Sequence, residues 1–195
     1  MSKHDDEEYQ RNVRFLAEQT LPKDVTFQPS APVDVRPAFH PPTKPDRMGN
    51  LVITDVFGPR KGRAHEGVDL RARPADGNLD IMSVMDGTIS FMKKDPSGAA
   101  GISVYVDHDD GTQTRFFHGS SIPSNLKVGD EVLAGDVIMQ AGSTGNSMGP
   151  HLHFEHGEIS QGRFRPMDPL KSLPEVFKDY MMDDEADSLM LETRL

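Results

Sequence analysis

The chain contains no cysteine. That removes disulfides, thiolate metal sites and cysteine nucleophiles together, and leaves histidine and carboxylate to carry any metal. Basic residues are also scarce: 21 Lys and Arg stand against 31 Asp and Glu, a net charge of −10. With no positive field to gather phosphate backbones or anionic lipid heads, nucleic acid is not expected as a partner. Long apolar runs are lacking too. No segment is suited to crossing a bilayer, and Met1-Ser2-Lys3-His4-Asp5-Asp6-Glu7-Glu8 places no apolar region behind a basic start. Neither membrane insertion nor a secretory signal is therefore expected.

A length of 195 residues suits one domain with extensions. Residues 1–21 read as an N-terminal helix, with acidic residues in the first turn and Tyr9, Val13, Leu16 and Ala17 on one side. Residues 22–47 carry prolines from Pro22 to Pro45, too frequent for helix or central strand, and read as an extended arm or linker. Short β-prone runs divided by Gly and Asp turns then dominate residues 48–172. They include Leu51 to Phe57, Thr88 to Met92, Ile102 to Asp107, Thr112 to His118 and Val137 to Ala141, and predict a mainly β, antiparallel domain. Residues 173–195 read as an acidic helical tail, with helical pieces at Glu175 to Tyr180 and Asp183 to Leu195. The arm and the tail are the segments expected to dock protein assembly partners.

Within the β region, His151-Leu152-His153 carries two imidazoles with strand spacing, so both point to one face. His65 and Asp69 add an imidazole and a carboxylate four positions apart. A catalytic Zn²⁺ takes three protein ligands and keeps an open position, a set that His65, Asp69 and one of the paired histidines would fill. The other paired histidine, with His118, is left to move protons. The pattern predicts metal-assisted hydrolysis.

The run from Phe57-Gly58-Pro59-Arg60 through His65-Glu66-Gly67-Val68-Asp69-Leu70, Asp86-Gly87-Thr88-Ile89 and Phe116-Phe117-His118 to Gly149-Pro150-His151-Leu152-His153-Phe154-Glu155, closing at Asp168-Pro169-Leu170, resembles the lysostaphin-type (LytM-like) zinc endopeptidases. The resemblance implies a barrel-sandwich-like β fold and hydrolysis of peptide cross-links or stem peptides in bacterial peptidoglycan. It makes His65, Asp69 and His153 the zinc ligands and His118 and His151 the catalytic histidines. One departure is Phe116, where many members have tyrosine, so any hydroxyl supplied from that position is lost. A peptidoglycan hydrolase lacking a signal acts on the envelope by another route, and carriage in a phage virion at the tail tip accounts for the arm as well. The alternative from another class is a catalytically silent member of the fold, serving as a structural or regulatory module.

The remaining features read as structural. His108, in Asp107-His108-Asp109-Asp110-Gly111, is expected in a solvated acidic turn, and His156 on the face opposite His153. His4 and His40 are expected to be exposed. Gly142-Ser143-Thr144-Gly145 lacks the spacing of a nucleophile elbow and reads as a flexible groove wall. The segment Val128 to Ile138 also resembles lipoyl or biotinyl carrier domains, but Met92-Lys93-Lys94 only loosely matches the lysine motif such a carrier needs.

Overall fold

Alternation along the strands separates a core face from a site face. The computed structural model describes residues 38–43, 53–60, 62–71 and 79–177. Its main antiparallel sheet is built from β1 (Ile53–Asp55), β4 (Val68–Arg71), β6 (Gly87–Lys93), β7 (Ile102–Asp107), β8 (Thr112–Gly119), β9 (Glu131–Val132), β11 (His151–Ser160) and β12 (Arg163–Met167). The order is β1-β4-β11-β8-β7-β6-β9, with β12 also paired to β11. A hairpin of β2 (Gly58–Arg60) and β3 (Arg63–His65) and a pair formed by β5 (Asp80–Met82) and β10 (Val137–Gln140) are the other strands among the described residues. The mainly β, antiparallel architecture expected from the turn spacing is what the chain adopts.

Val68 and Leu70, Val104 and Val106, Phe116, and Leu152 and Phe154 all point to one side and are buried. Phe116 and Phe177 both pack edge-on against Phe154, at centroid distances of 5.2 and 5.5 Å. Each such aromatic, fully buried, contributes about 1.5–3 kcal/mol relative to exposure. The other face presents Asp69, Tyr105, Arg115, Phe117, His153 and Glu155. Because side chains alternate, a register slip of one residue would turn this whole set into the core.

Three boundaries move. Residues 38–43, assigned to the arm, lie against the domain: His40 N–H donates to Val84 O at 2.8 Å and Met82 N–H to Pro42 O at 2.8 Å. Pro42 and Thr43 are buried and His40 is half-buried rather than exposed. The core also continues past residue 172, since Leu173, Val176 and Phe177 are buried on two short helical turns, Pro169–Ser172 and Pro174–Phe177. These apolar side chains cover the end of the core, so the tail begins later than its charge suggests. Of the strand expected over Leu51 to Phe57, the described residues place Ile53–Asp55 in β1 and Val56 and Phe57 outside it, the Val56 carbonyl accepting a bond from His65. The helices expected at 1–21 and 183–195, His4, and the docking roles of the arm outside 38–43 and of the tail beyond 177 lie outside the described residues.

His108 is not in a solvated turn. Its ring is buried, donating Nδ1–H to Asp86 O at 2.8 Å and facing Thr114 Oγ1 through Nε2 at 2.9 Å. Gly87 makes room for it, since a Cβ there would lie 2.8 Å from His108 Nδ1. His156 is on the core face, opposite His153, where Nδ1–H donates to Ser172 Oγ at 2.8 Å.

Candidate metal centre

β4 and β11 are neighbours in register, with Asp69 opposite His153. His65 ends β3, and the short link Glu66-Gly67 carries the chain straight into β4. Gly67 makes this approach possible: a Cβ there would lie 2.2 Å from Phe154 O, so only glycine lets the link press onto β11. The register and the link together bring three side chains from two chain regions to one point.

His153 Nδ1 is 2.7 Å from Asp69 Oδ1. His65 Nε2 is 3.1 Å from the same oxygen and 3.0 Å from His153 Nδ1. The outward nitrogens are already engaged. His65 Nδ1–H donates to Val56 O at 2.7 Å and His153 Nε2–H to Glu155 Oε1 at 3.1 Å, which leaves His65 Nε2 and His153 Nδ1 as bare lone pairs. Asp69 Oδ2 accepts from Arg60 Nη2 at 2.9 Å, leaving Oδ1 for the centre, and Arg60 is itself paired with Asp55. Two imidazole lone pairs and a carboxylate oxygen aimed at one point repel one another unless they share a cation. Without a metal, a proton on His153 takes that part. Burial pushes His153 down, but bonds and charge from Asp69 and Glu155 outweigh it and lift the ring to about 9. Burial would raise Asp69, yet His153, His65 and Arg60 hold it well below the usual carboxylate range. Once a metal displaces that proton, two imidazoles and one carboxylate, all within mutual reach on the wall of a cavity, are a donor set that fits Zn²⁺ with a position left open.

His118 and His151 line the same cavity of about 400 Å³, with ring centroids 4.7 Å apart. His118 closes β8 with φ 64°, a left-handed conformation uncommon for a side-chain-bearing residue. Its Nδ1–H donates to Thr144 O at 2.9 Å. His151 Nδ1–H donates to Gly149 O at 2.9 Å, with Ser147 Oγ at 3.1 Å. In both rings Nε2 is thereby the free basic nitrogen. Burial, with smaller contributions from the neighbouring histidines, pushes His118 below its ordinary value, so it stays neutral at pH 7. A second hollow, lined by Thr54, Arg71, Met148 and Pro150, shares Asp69 and His151 with the first. The two hollows therefore adjoin at the site.

All five residues expected from sequence line this cavity, three as a converging set and two beside it. Phe116 does not: it is fully buried against Phe154, so its missing hydroxyl takes no group away from the cavity, which Phe117 lines instead. The groove wall at 142–145 is pinned rather than loose, since Thr144 Oγ1 donates to Gly119 O at 2.7 Å and accepts from Ile102 N–H at 2.9 Å. Lys93 ends β6 within the sheet instead of standing at a hairpin tip, which removes the carrier reading. Sequence reasoning missed Arg60, Thr144 and Glu155 as supports of the site. Glu155 was within reach of the argument, being two residues beyond His153 on the same strand face.

A family model described as Peptidase family M23 matches residues 63–169. Among curated proteins, the chain is 35% identical over 127 residues to the peptidoglycan DD-endopeptidase ShyB of Vibrio cholerae, covering 62% of this chain and 27% of that protein. Among solved structures, it resembles a zinc-containing peptidase from Vibrio cholerae at 28% identity and TM-score 0.55, over 75% of this chain and 40% of that one. It also resembles the catalytic domain of lysostaphin from Staphylococcus simulans at 27% identity and TM-score 0.56, over 68% of this chain and 98% of that one. The chain spans about a third or less of the length of the first curated relatives it matches.

Proposed function

The chain belongs to peptidase family M23, and on that premise we propose that it is a zinc-dependent endopeptidase that hydrolyses peptide bonds of bacterial peptidoglycan. The observation that carries the proposal is the convergence of His65 Nε2, Asp69 Oδ1 and His153 Nδ1, with the free Nε2 atoms of His118 and His151 in the same cavity. Peptidoglycan as substrate is supported by the names of the relatives.

Zinc held by His65, Asp69 and His153 supplies Lewis acidity toward water and the scissile carbonyl. The chain's own residues do the rest. One of His118 and His151 accepts a proton from the attacking water at Nε2 and, as the imidazolium so formed, returns it from Nε2 to the leaving amine, while the other, once protonated at Nε2, steadies the developing oxyanion. Their Nδ1–H bonds to Thr144 O and Gly149 O hold the rings in the tautomer that puts the basic nitrogen toward the substrate. Arg60 keeps Asp69 turned so that a single oxygen faces the centre.

The five side chains expected for turnover are all present and line one cavity, which supports the enzyme reading over a silent module. Digestion of purified peptidoglycan tests the proposal. Release of peptide fragments that stops with chelator and returns with zinc is the expected result, and an intact sacculus in the presence of zinc rejects it.

A further inference from the structure

Four histidines surround the cavity, and each is tied back through its outward nitrogen. For His65, His118 and His151 the acceptor is a backbone carbonyl, of Val56, Thr144 and Gly149. At His153 the acceptor is instead a carboxylate, Glu155 Oε1 at 3.1 Å, whereas the Asp55 carboxylate behind His65 stands 3.9 Å from Nδ1, beyond hydrogen-bond length. Glu155 is 7% exposed, and its second oxygen, Oε2, is buried without a hydrogen-bond partner. The cation nearest to that oxygen, Arg115 Nη1, stands 3.8 Å away, beyond hydrogen-bond length. Arg115 is placed by other contacts: its guanidinium stacks 3.6 Å from the Phe164 centroid and 4.6 Å from that of Tyr105, and Nε donates to Gln113 Oε1 at 2.6 Å. A buried carboxylate left half satisfied is costly unless positive charge compensates it. Arg115 supplies part of that charge across 3.8 Å, and the far side of the imidazole, where His153 Nδ1 meets Asp69 and His65, is a second place for it.

We infer that Glu155 is a positioning residue for the metal, fixing His153 with its proton on Nε2 and strengthening Nδ1 as a donor by placing a negative charge behind the ring. The inference rests on the reading of His65, Asp69 and His153 as zinc ligands. Two components separate chemically. A hydrogen-bond acceptor is enough to orient the ring, whereas only a carboxylate adds charge. Glu155→Gln keeps the first and removes the second; Glu155→Ala removes both.

Zinc dissociation constants measured by competition with a chromophoric chelator, for the wild-type chain, E155Q, E155A and H153A, test this. E155A should bind zinc about 10–100-fold more weakly, and E155Q should fall between it and the wild type. The visible spectrum of the Co²⁺-loaded E155A should shift from that of the wild type, which loss of packing alone would not cause, while zinc-free E155Q should melt with the wild type. Wild-type affinity in E155A, with H153A weakened, overturns the inference and leaves the ligand assignment standing. A wild-type chain that binds no zinc, or an H153A that binds as well as wild type, overturns both. If E155A does not fold, E155Q decides: a severalfold loss supports the charge role and unchanged affinity rejects it.

Discussion

Asp69 and His153 are 84 residues apart in the chain yet directly opposed on antiparallel strands, with Oδ1 and Nδ1 2.7 Å apart. The pairing of β4 with β11 is therefore also the assembly step of the proposed metal centre. Metal binding and sheet formation are coupled, since the ligands converge only once these strands are in register.

Loss of a ligand should empty the centre. His153→Ala or Asp69→Asn should lose most zinc affinity and all measurable peptidase activity, because two remaining donors make a poor site. Elemental analysis of the purified variants checks this, and full zinc in either one contradicts the assignment.

The two other histidines should behave differently. His118→Ala and His151→Ala leave the three converging donors intact, so zinc content should stay near wild type while turnover falls about 100-fold or more. Metal analysis paired with a turnover assay separates the roles. A folded variant of either that loses its metal would exchange ligand for catalyst.

The site was legible where local periodicity carried it. Alternation at His151 and His153 put two imidazoles on one face, and the same rule extended by two residues would have reached Glu155. The partnership with Asp69 was not readable from spacing, because it depends on strand register and on Gly67 meeting Phe154 O. The resemblance of the motifs supplied it instead. Most strand positions followed from turn chemistry, as at β7, where the expected and observed limits coincide. His108 was misjudged because three aspartates around it dominate the local composition, while its burial comes from the space left by Gly87 on another strand. Residues 38–43 and 173–177 were misjudged for a related reason: proline and acid content describe the segment, and packing against the domain overrides it.

That correction changes what truncation should do. A chain beginning at Gly49 loses the bonds from His40 to Val84 and from Met82 to Pro42, together with the burial of Pro42 and Thr43. Two backbone bonds and this burial amount to roughly 2–4 kcal/mol. A chain beginning at Arg36 retains them. Urea unfolding of the two should show the Gly49 form less stable by that margin, and equal midpoints would mean that residues 38–43 add nothing to the domain.

The buried pair His156 and His108 should make stability fall on mild acidification. Burial, reinforced by the nearby charge of His108, lowers His156 to about 4, and burial lowers His108 in the same direction. A histidine depressed in the fold is neutral there and takes its proton first in the unfolded chain. Its contribution is thus complete above the ordinary value of about 6.5 and is lost as pH falls from there toward 4. Replacing His156 by Asn retains a donor for Ser172 but removes the titration, so the drop in unfolding free energy between pH 7 and pH 5 should be smaller in His156→Asn than in the wild type. Both are measured by urea titration in chelator, where proton release by the metal ligands is common to the two and cancels. Identical drops would place the acid sensitivity elsewhere, in the carboxylates or in His108 alone.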